Sequence, residues 1–482
     1  LEAVETETAI ELEGKPVVVR AWRHQVRGLS GHVVPVYFLD TDHEKNSAPM
    51  RDCTRWLYGG DERYRLCQEA VLGLGGVALL RAMGSDIKIY HMNEGHSALL
   101  ALALIREQLA TPPGGGVLDT IRKQVRQRCV FTTHTPVPAG HDVFPCDMVH
   151  HLLGPDYATL MATLRLCLDG HLNMTYLALA FSGYINGVAF RHGEVSRTMF
   201  PEYPIDSITN GVHVPTWVHP AFARLFDERI PDWRNDNFDL RHAVNIPLER
   251  IRETHRAAKQ DLFAEIAART GRALQGDVFT IGYARRATTY KRPDLLFTDL
   301  ERLRAIAKTH GALQIVYAGK AHPKDQPGKD LIRRIFAAAA ALGNDIPVIY
   351  LEDYDMAVAK KLCAGVDLWL NTPRKPQEAS GTSGMKAALN GVPSLSVLDG
   401  WWVEGHVEGV TGWSIGNHHH AEDDRAAEAR GLYDKLAAIL PLYYRQPDAY
   451  TYVRRCCIAL NGSYFHAQRM LIQYLTIAYL RM

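Results

Sequence analysis

The residue types best suited to chemistry lie between Glu378 and Lys386, in the run Glu-Ala-Ser-Gly-Thr-Ser-Gly-Met-Lys. An apolar run, Val366 to Leu370, precedes it and reads as a buried strand. Ala387-Ala388-Leu389 follows and reads as a helix. A strand, a Gly- and Ser-rich turn and a helix can aim several backbone N–H groups at an anion, aided by the helix dipole. Glu378 adds a carboxylate before the turn. Lys386 sits just inside the expected helix, where the field of an N-terminus disfavours a cation. A lysine held there pairs with an anion or stays neutral for Schiff-base chemistry with a carbonyl. The ordinary alternative is a solvated lysine on a helix, and one motif does not decide between them.

The elements that must position these residues follow a regular pattern from Val278 onward. Strands are expected at Val278–Tyr283, Gln314–Ala318, Val348–Leu351, Asp367–Leu370 and Leu395–Leu398. Helices are expected between them at Pro293–Lys308, Lys329–Leu342, Met356–Ala364 and Gly384–Leu389. Such alternation argues for a parallel, doubly wound sheet. Three strand-end loops are basic: Arg285-Arg286 with Tyr290-Lys291-Arg292, Gly319-Lys320, and the Lys386 turn. One basic cluster is ordinarily a solvated face. Several on one sheet edge, with a helix N-terminus, favour bound phosphate.

The first half is less regular. Strands are expected at 16–21, Val33–Leu39, Ile87–His91 and Arg128–Thr132, and a long helical pattern runs from Asp61 to Ala82. Its Gly73-x-Gly75-Gly76 resembles a phosphate loop only superficially, because no strand precedes it; close helix packing explains the glycines. Asn93-Glu94-Gly95-His96 forms a turn before a helix at Ser97–Leu109, and Thr133-His134-Thr135-Pro136 follows the next strand. Polar residues there occupy the usual ligand edge of an open α/β sheet. His91 and His96 lack zinc-site spacing and His134 has no nearby partner, so no metal is expected. A helix is expected at Asn173–Phe181, a strand from Ile208 running through Asn210 into a loop at Pro215, and a helix at Pro247–Ala267. The polar segment Pro231–Asp236 suggests a domain boundary. His418-His419-His420 reads as a solvated loop. The amphipathic stretch Tyr464–Leu480 is expected to pack back on the first domain. The expected division is 1–230, 231–455 and a C-terminal helix within 456–482.

Composition excludes several classes. The 482 residues carry a net charge of +1, so no overall field draws the protein to nucleic acid or a membrane surface. No apolar run is long enough for a membrane span, and no signal peptide is visible. Eight scattered cysteines without a Cys-x-x-Cys pair suit reduced thiols in a cytoplasmic protein. The start at Leu1 leads us to expect a missing N-terminal portion.

Glu378 to Gly391, Asn93-Glu94-Gly95-His96, Thr133 to Pro136, Thr209-Asn210-Gly211-Val212, Ala284-Arg285-Arg286 with Tyr290-Lys291-Arg292, Ala318 to Ala321 and Leu351 to Tyr354 together resemble the α-glucan (glycogen, starch or maltodextrin) phosphorylases, in that family's order. The likeness is greatest to the shorter prokaryotic branch. It implies an α/β protein of two Rossmann-like domains, the glycosyltransferase-B fold, with the active site in the cleft between them. It implies pyridoxal 5′-phosphate on Lys386, its 5′-phosphate acting as the acid–base group. Inorganic phosphate then cleaves an α-1,4-glucan with retention, releasing α-glucose 1-phosphate. By position, Arg286 and Lys291, helped by Arg285, hold substrate phosphate. Thr382, Ser383 and Tyr354 line the cofactor. Glu378, Asn210, Ser380 and Gly381 bind glucose hydroxyls, the His134 carbonyl and Tyr290 face the sugar, and Glu94 and His96 lie towards the glucan. Gly59-Gly60-Asp61 takes the place of a gating loop. Departures are Arg285 where the longer branch has Lys, Asp355 where it has Arg, and no Gly-Gly-Leu-Gly loop near the start. The expected partners are α-1,4-glucan and inorganic phosphate, without nucleic acid or membrane; homo-oligomerisation is open. The alternatives are a nucleotide-sugar-dependent glucan synthase of the same fold and an inactive glucan-binding fragment.

Overall fold

In the computed structural model, residues 1–57, 60–109, 117–137, 140–416 and 424–481 are described. Gly59 of the expected gating turn and His418-His419-His420 lie outside them. The chain divides into two units, Leu1–Val188 with Ser196–Ser207 and Tyr474–Met482, and Ala189–Val195 with Ile208–Gln473.

The first unit begins with an antiparallel sheet of β1 (Glu2–Ala3), β2 (Thr8–Leu12), β3 (Lys15–Arg27) and β4 (Val33–Asp40). The expected run at 16–21 is the first half of β3, and Val33–Leu39 is β4 but for its last residue. Asp61 caps the helix Glu62–Ala70 by accepting from Tyr64 N. That helix continues through a π-helical turn, Val71–Gly75, into Gly76–Ala82. A Cβ at Gly73 would lie 2.8 Å from Leu100 N, so this glycine serves close packing, as expected.

Further on come β5 (Tyr90–Asn93), β6 (Cys129–Thr132), β7 (Val143–Pro145), β8 (Cys167–Leu168), β9 (His171–Asn173), β10 (Tyr184–Gly187) and β11 (Asp206–Ser207). β5, β6, β10 and β11 form a parallel sheet in the order β11-β10-β6-β5. β7, β9 and β8 form a small antiparallel sheet. There the expectation of reduced thiols is corrected. Cys146 and Cys167 are disulfide-bonded with Cα atoms 6.2 Å apart, and the other six cysteines are free and buried. The β8–β9 hairpin folds Cys167 back beside the end of β7, a proximity that a separation of 21 residues does not announce.

In the second unit a 23-residue helix, Leu248–Thr270, precedes β12 (Phe279–Ala284), β13 (Leu313–Ala318), β14 (Val348–Leu351), β15 (Leu368–Asn371), β16 (Ser394–Val397) and β17 (Gly412–Ile415). All their pairings are parallel and the order is β14-β13-β12-β15-β16-β17. Five of these strands were expected to within about a residue; β17 was not. The order reverses at β12, so the crevice for a ligand lies at the carboxyl ends of β12 and β15.

Three expectations meet corrections here. Ile208 to Pro215 is no strand. Val212 N donates to Phe465 O (3.1 Å) and Ala467 N to Val212 O (2.9 Å), one bridge between loops. Tyr464–Leu480 is not one helix but Ala467–Gln473 followed by a π-helix, Tyr474–Tyr479. Tyr474 and Tyr479 belong to the first unit, where the Tyr479 hydroxyl meets His91 Nδ1 at 2.7 Å. Finally, the polar segment near Pro231 contains Trp233, fully buried among Phe222, Phe226 and Leu240. Residues 208–230 accordingly group with the second unit, and the chain parts near 188 and 207 instead.

At the opposite end of β15, Asp367 accepts from Lys259 Nζ (2.7 Å), Arg454 Nη2 (2.6 Å) and Thr280 N (2.8 Å). Burial opposes its ionisation, but Lys259 and Arg454 outweigh burial and hold its pKa down. Removing one partner of such a buried set leaves uncompensated charge and costs about 3–5 kcal/mol. We expect Asp367→Asn to lose about that much stability in urea unfolding of the second unit; a loss under about 1 kcal/mol would contradict the ledger of charges here.

Candidate active site

β12 ends at Ala284, and the next residue, Arg285, is the first that can leave the sheet. A loop of Thr372 to Thr382 follows β15 and brings Glu378 back to it. Arg285 donates to Glu378 through both Nη atoms, at 2.6 and 2.9 Å. Lys291 Nζ lies 2.5 Å from Glu378 Oε2. The Glu378 side chain is only 8% exposed, so solvent screens these pairs weakly. Burial opposes the Glu378 charge, yet Arg285 and Lys291 lower its pKa to about 2. Burial, then the charge of Arg285, pushes Lys291 down to about 7 despite Glu378. Lys291 Nζ also sits 4.6 Å from the centre of the Tyr290 ring. Arg286 is exposed, touches the Tyr290 hydroxyl electrostatically and makes no ion pair among the described residues. Glu378 therefore faces two cations, with the Arg286 charge close to Lys291, which leaves positive charge for an oxyanion.

The turn itself is held from β16. Asp399, which follows Leu398, accepts from Glu378 N and Gly400 N, both at 2.9 Å. Burial raises its pKa to about 7. Ser380 O accepts from Trp401 N (2.8 Å), while Ser380 Oγ is buried without a protein partner among the described residues. Gly381 has φ +73°, and a Cβ there would meet Glu378 Oε1 at 3.2 Å, so the turn needs glycine. Ser383 Oγ accepts from Trp369 Nε1 (3.1 Å).

Lys386 requires a correction. The helix is Ser383–Ala388, six residues with Thr382 at the cap, and Lys386 lies in its last turn rather than its first. The dipole therefore does not disfavour its charge. Its pKa is nonetheless lowered, by burial first and the charge of Arg285 next, with Cys363 opposing. Its Nζ stands 4.0 Å over the Trp217 ring, and it has no carboxylate partner among the described residues. A half-buried amine with a lowered pKa and no acidic partner fits a carbonyl-bearing group such as pyridoxal phosphate. Tyr354 packs near Cys363, its pKa raised by burial. Asp355 has its own task, capping the helix Met356–Gly365 through Val358 N (2.8 Å). Asn210 is fixed through its backbone, its carbonyl accepting from Arg469 Nη2 (3.0 Å).

In the first unit Glu94 has φ +68° and accepts from His134 N, Thr135 Oγ1 (3.1 Å) and Gly95 N (3.2 Å). That occupies its carboxylate with the loop that carries His134. His134 Nε2 meets Asn93 Oδ1 at 2.5 Å, and burial lowers the His134 pKa. His96 instead joins Arg65, Glu69 and Asp142. The sequence reading had not singled out Asp399, Trp217, Arg65, Glu69 or Asp142. Asp399 carried a readable signal, an acid just after a strand; the others carried none.

A family model described as carbohydrate phosphorylase matches residues 155–411, more than half of the chain and all of the loops just described except those before 155. This chain belongs to the carbohydrate phosphorylase family. It is 36% identical to the maltodextrin phosphorylase of Thermococcus litoralis over 96% of its own length and 59% of that protein. It is 37% identical to the glycogen phosphorylases of Aquifex aeolicus and Mycobacterium tuberculosis, over 86% of its length and 65% and 54% of theirs. The chain thus spans little more than half to two thirds of these relatives. In this carbohydrate phosphorylase family member the basic cluster around Glu378 lies at the sheet's reversal point, the usual ligand position of an open α/β sheet.

Lys291 gives this site a pH dependence of definite sign. Its charge is present below about 7 and is lost as pH rises through that value. Sulfate, which does not titrate in this range, should bind with constant affinity below about pH 6 and then weaken by up to about tenfold per pH unit, the limit for one linked proton. In Lys291→Arg, which stays charged, calorimetry should find the dependence largely abolished.

Proposed function

We propose that this chain performs phosphorolysis of α-1,4-glucan, taking inorganic phosphate and releasing α-glucose 1-phosphate with retention. The observation that carries the reading is the Arg285–Glu378–Lys291 network beside Lys386, an amine with a lowered pKa and no acidic partner. The proposal extends to two Rossmann-like domains of the glycosyltransferase-B kind, supported by the parallel sheets of both units. Named relatives that act as maltodextrin or glycogen phosphorylases support it further.

Arg285, Arg286 and Lys291 would bind the substrate phosphate. In doing so they would exchange Glu378 for a phosphate oxygen, freeing the Glu378 carboxylate to accept glucose hydroxyls. Asn210 and Tyr290 would also contact that glucose, with Ser380 and Gly381 lending backbone groups. His134, through its carbonyl, would face the same sugar, while His96 would lie towards the glucan. Lys386 would hold pyridoxal phosphate, with Thr382, Ser383, Tyr354 and Trp217 around it. When bound, the cofactor supplies a phosphate that exchanges a proton with the substrate phosphate. Substrate phosphate then protonates the glycosidic oxygen and captures the anomeric carbon on the same face. The clustered cations offset the crowding of two phosphate groups, the largest electrostatic demand of such a reaction. A cytoplasmic setting belongs to the same proposal. Six unbridged cysteines favour it, and the Cys146–Cys167 bond is the observation against it.

Borohydride reduction after incubation with pyridoxal phosphate should leave a pyridoxyl mass on the Lys386 peptide. Glucose 1-phosphate should appear from maltodextrin and phosphate. Lys291→Ala and Glu378→Gln should each lower kcat/KM by about a hundredfold or more, as loss of a preorganised charge in such sites does. A pyridoxyl group absent from Lys386 in folded protein would overturn the reading.

A further inference from the structure

The Arg65–Glu69–His96–Asp142 cluster of the first unit is not absorbed by the reaction chemistry above. Its donor atoms on Glu69, His96 and Asp142 all lie within 4.8 Å of one another, a spacing that could suit a metal ion. Arg65 takes that place instead. Its Nε is 3.0 Å from Glu69 Oε1, and its Nη2 is 3.2 Å from Asp142 Oδ2 and 2.7 Å from His96 Nδ1. Asp142 Oδ2 lies 2.9 Å from His96 Nδ1.

His96 Nδ1 stands between Asp142 Oδ2 at 2.9 Å and Arg65 Nη2 at 2.7 Å. If Nδ1 were unprotonated, its lone pair would oppose a carboxylate oxygen at 2.9 Å. With a proton on Nδ1 it donates to Asp142, and the unfavourable neighbour becomes Arg65 Nη2. Charge decides between the two. With Asp142 ionised, and Glu69 ionised above about pH 7, two carboxylates and one guanidinium leave one negative charge, which an imidazolium closes. The other titratable groups near His96 are Glu94 beside it in the chain and His134 in the next loop. The His96 side chain remains 39% exposed, and its Nε2 has no partner among the described residues.

We propose that Asp142 is a positioning residue that keeps His96 protonated on Nδ1, so that Nε2 presents a charged N–H donor to a glucan hydroxyl. This rests on the reading above that His96 lies towards the glucan. Hydrogen bonds to charged donors are roughly twice as strong as neutral ones, so the imidazolium matters for sugar affinity. The His96 pKa agrees in direction, raised to about 9 by Asp142 first and Glu69 next. In the same cluster burial raises Glu69 to about 7. The sign follows: the charged donor is present below about 9 and lost as pH rises through that value.

The test uses the whole chain, with histidine ring labels read by NMR and maltoheptaose binding read by calorimetry without phosphate, from pH 5.5 to 10. Wild type should show His96 titrating near 9 and glucan affinity falling above that pH. In Asp142→Asn the cluster is neutral without the imidazolium, so His96 should titrate at least 1.5 pH units lower. Glucan affinity at pH 7.5 should then fall roughly tenfold, the loss of protonated His96 expected near its ordinary pKa, and recover below pH 6. Asp142→Glu, which keeps the carboxylate, should restore most of the effect and controls for folding. An unchanged His96 titration in Asp142→Asn overturns the proposal. A shifted titration with unchanged glucan affinity also overturns it, since the hold would then serve no ligand. If wild type binds no maltoheptaose while His96 titrates near 9, the glucan reading itself fails and takes the ligand of this proposal with it.

Discussion

A single carboxylate joins the two loops on which the site is built. Glu378 lies after β15 and binds Arg285 and Lys291, which lie after β12. Without it, two buried cations would repel one another across the point where the sheet reverses its order. With it, the loops close on each other and the cluster keeps an excess of positive charge. Asp399 fixes Glu378 in turn through its backbone N–H, and Gly381 lets the chain turn back over the same side chain. The excess charge is what an oxyanion would meet, and Glu378 is what it would displace.

The same chemistry occurs at the other end of β15 with a different outcome. Asp367 also sits between two buried cations, Lys259 and Arg454. It ties the helix Leu248–Thr270 and the segment around Arg454 to the base of the sheet. Location separates the two clusters. Strand carboxyl ends open towards a ligand crevice, whereas the amino ends of parallel strands serve packing. Charge pattern alone would not distinguish a binding cluster from a structural one.

Much of the second unit was legible before folding. The strands β12 to β15 are mostly apolar and buried on both faces, as parallel strands are, so their runs stand out; in β16 Ser394 and Ser396 are buried as well. β17 was missed because Gly412-Trp413-Ser414-Ile415 is short and half polar in type, and pairs only at the sheet's edge with β16. The region around Pro231 misled for a related reason. Its polar residues look like a linker, but Trp233 among them fills the core of the second unit. The strand expected from Ile208 failed because its hydrogen bonds go to residues 465–467, a partner more than 200 positions away along the chain.

From its sequence alone, this protein is determined as an α/β chain with basic strand-end loops and a Glu378–Lys386 turn of the phosphorylase type, because local propensity and short motifs are written in adjacent residues. Tertiary structure alone decided the rest. It set Glu378 against Arg285 and Lys291, moved Lys386 to the end of its helix and put Trp217 beneath it, and joined Cys146 to Cys167. It also gathered Arg65, Glu69 and Asp142 around His96. Each of these depends on residues distant in sequence meeting at a place with little water, where burial and a neighbour's charge, not residue type, set which groups are ionised.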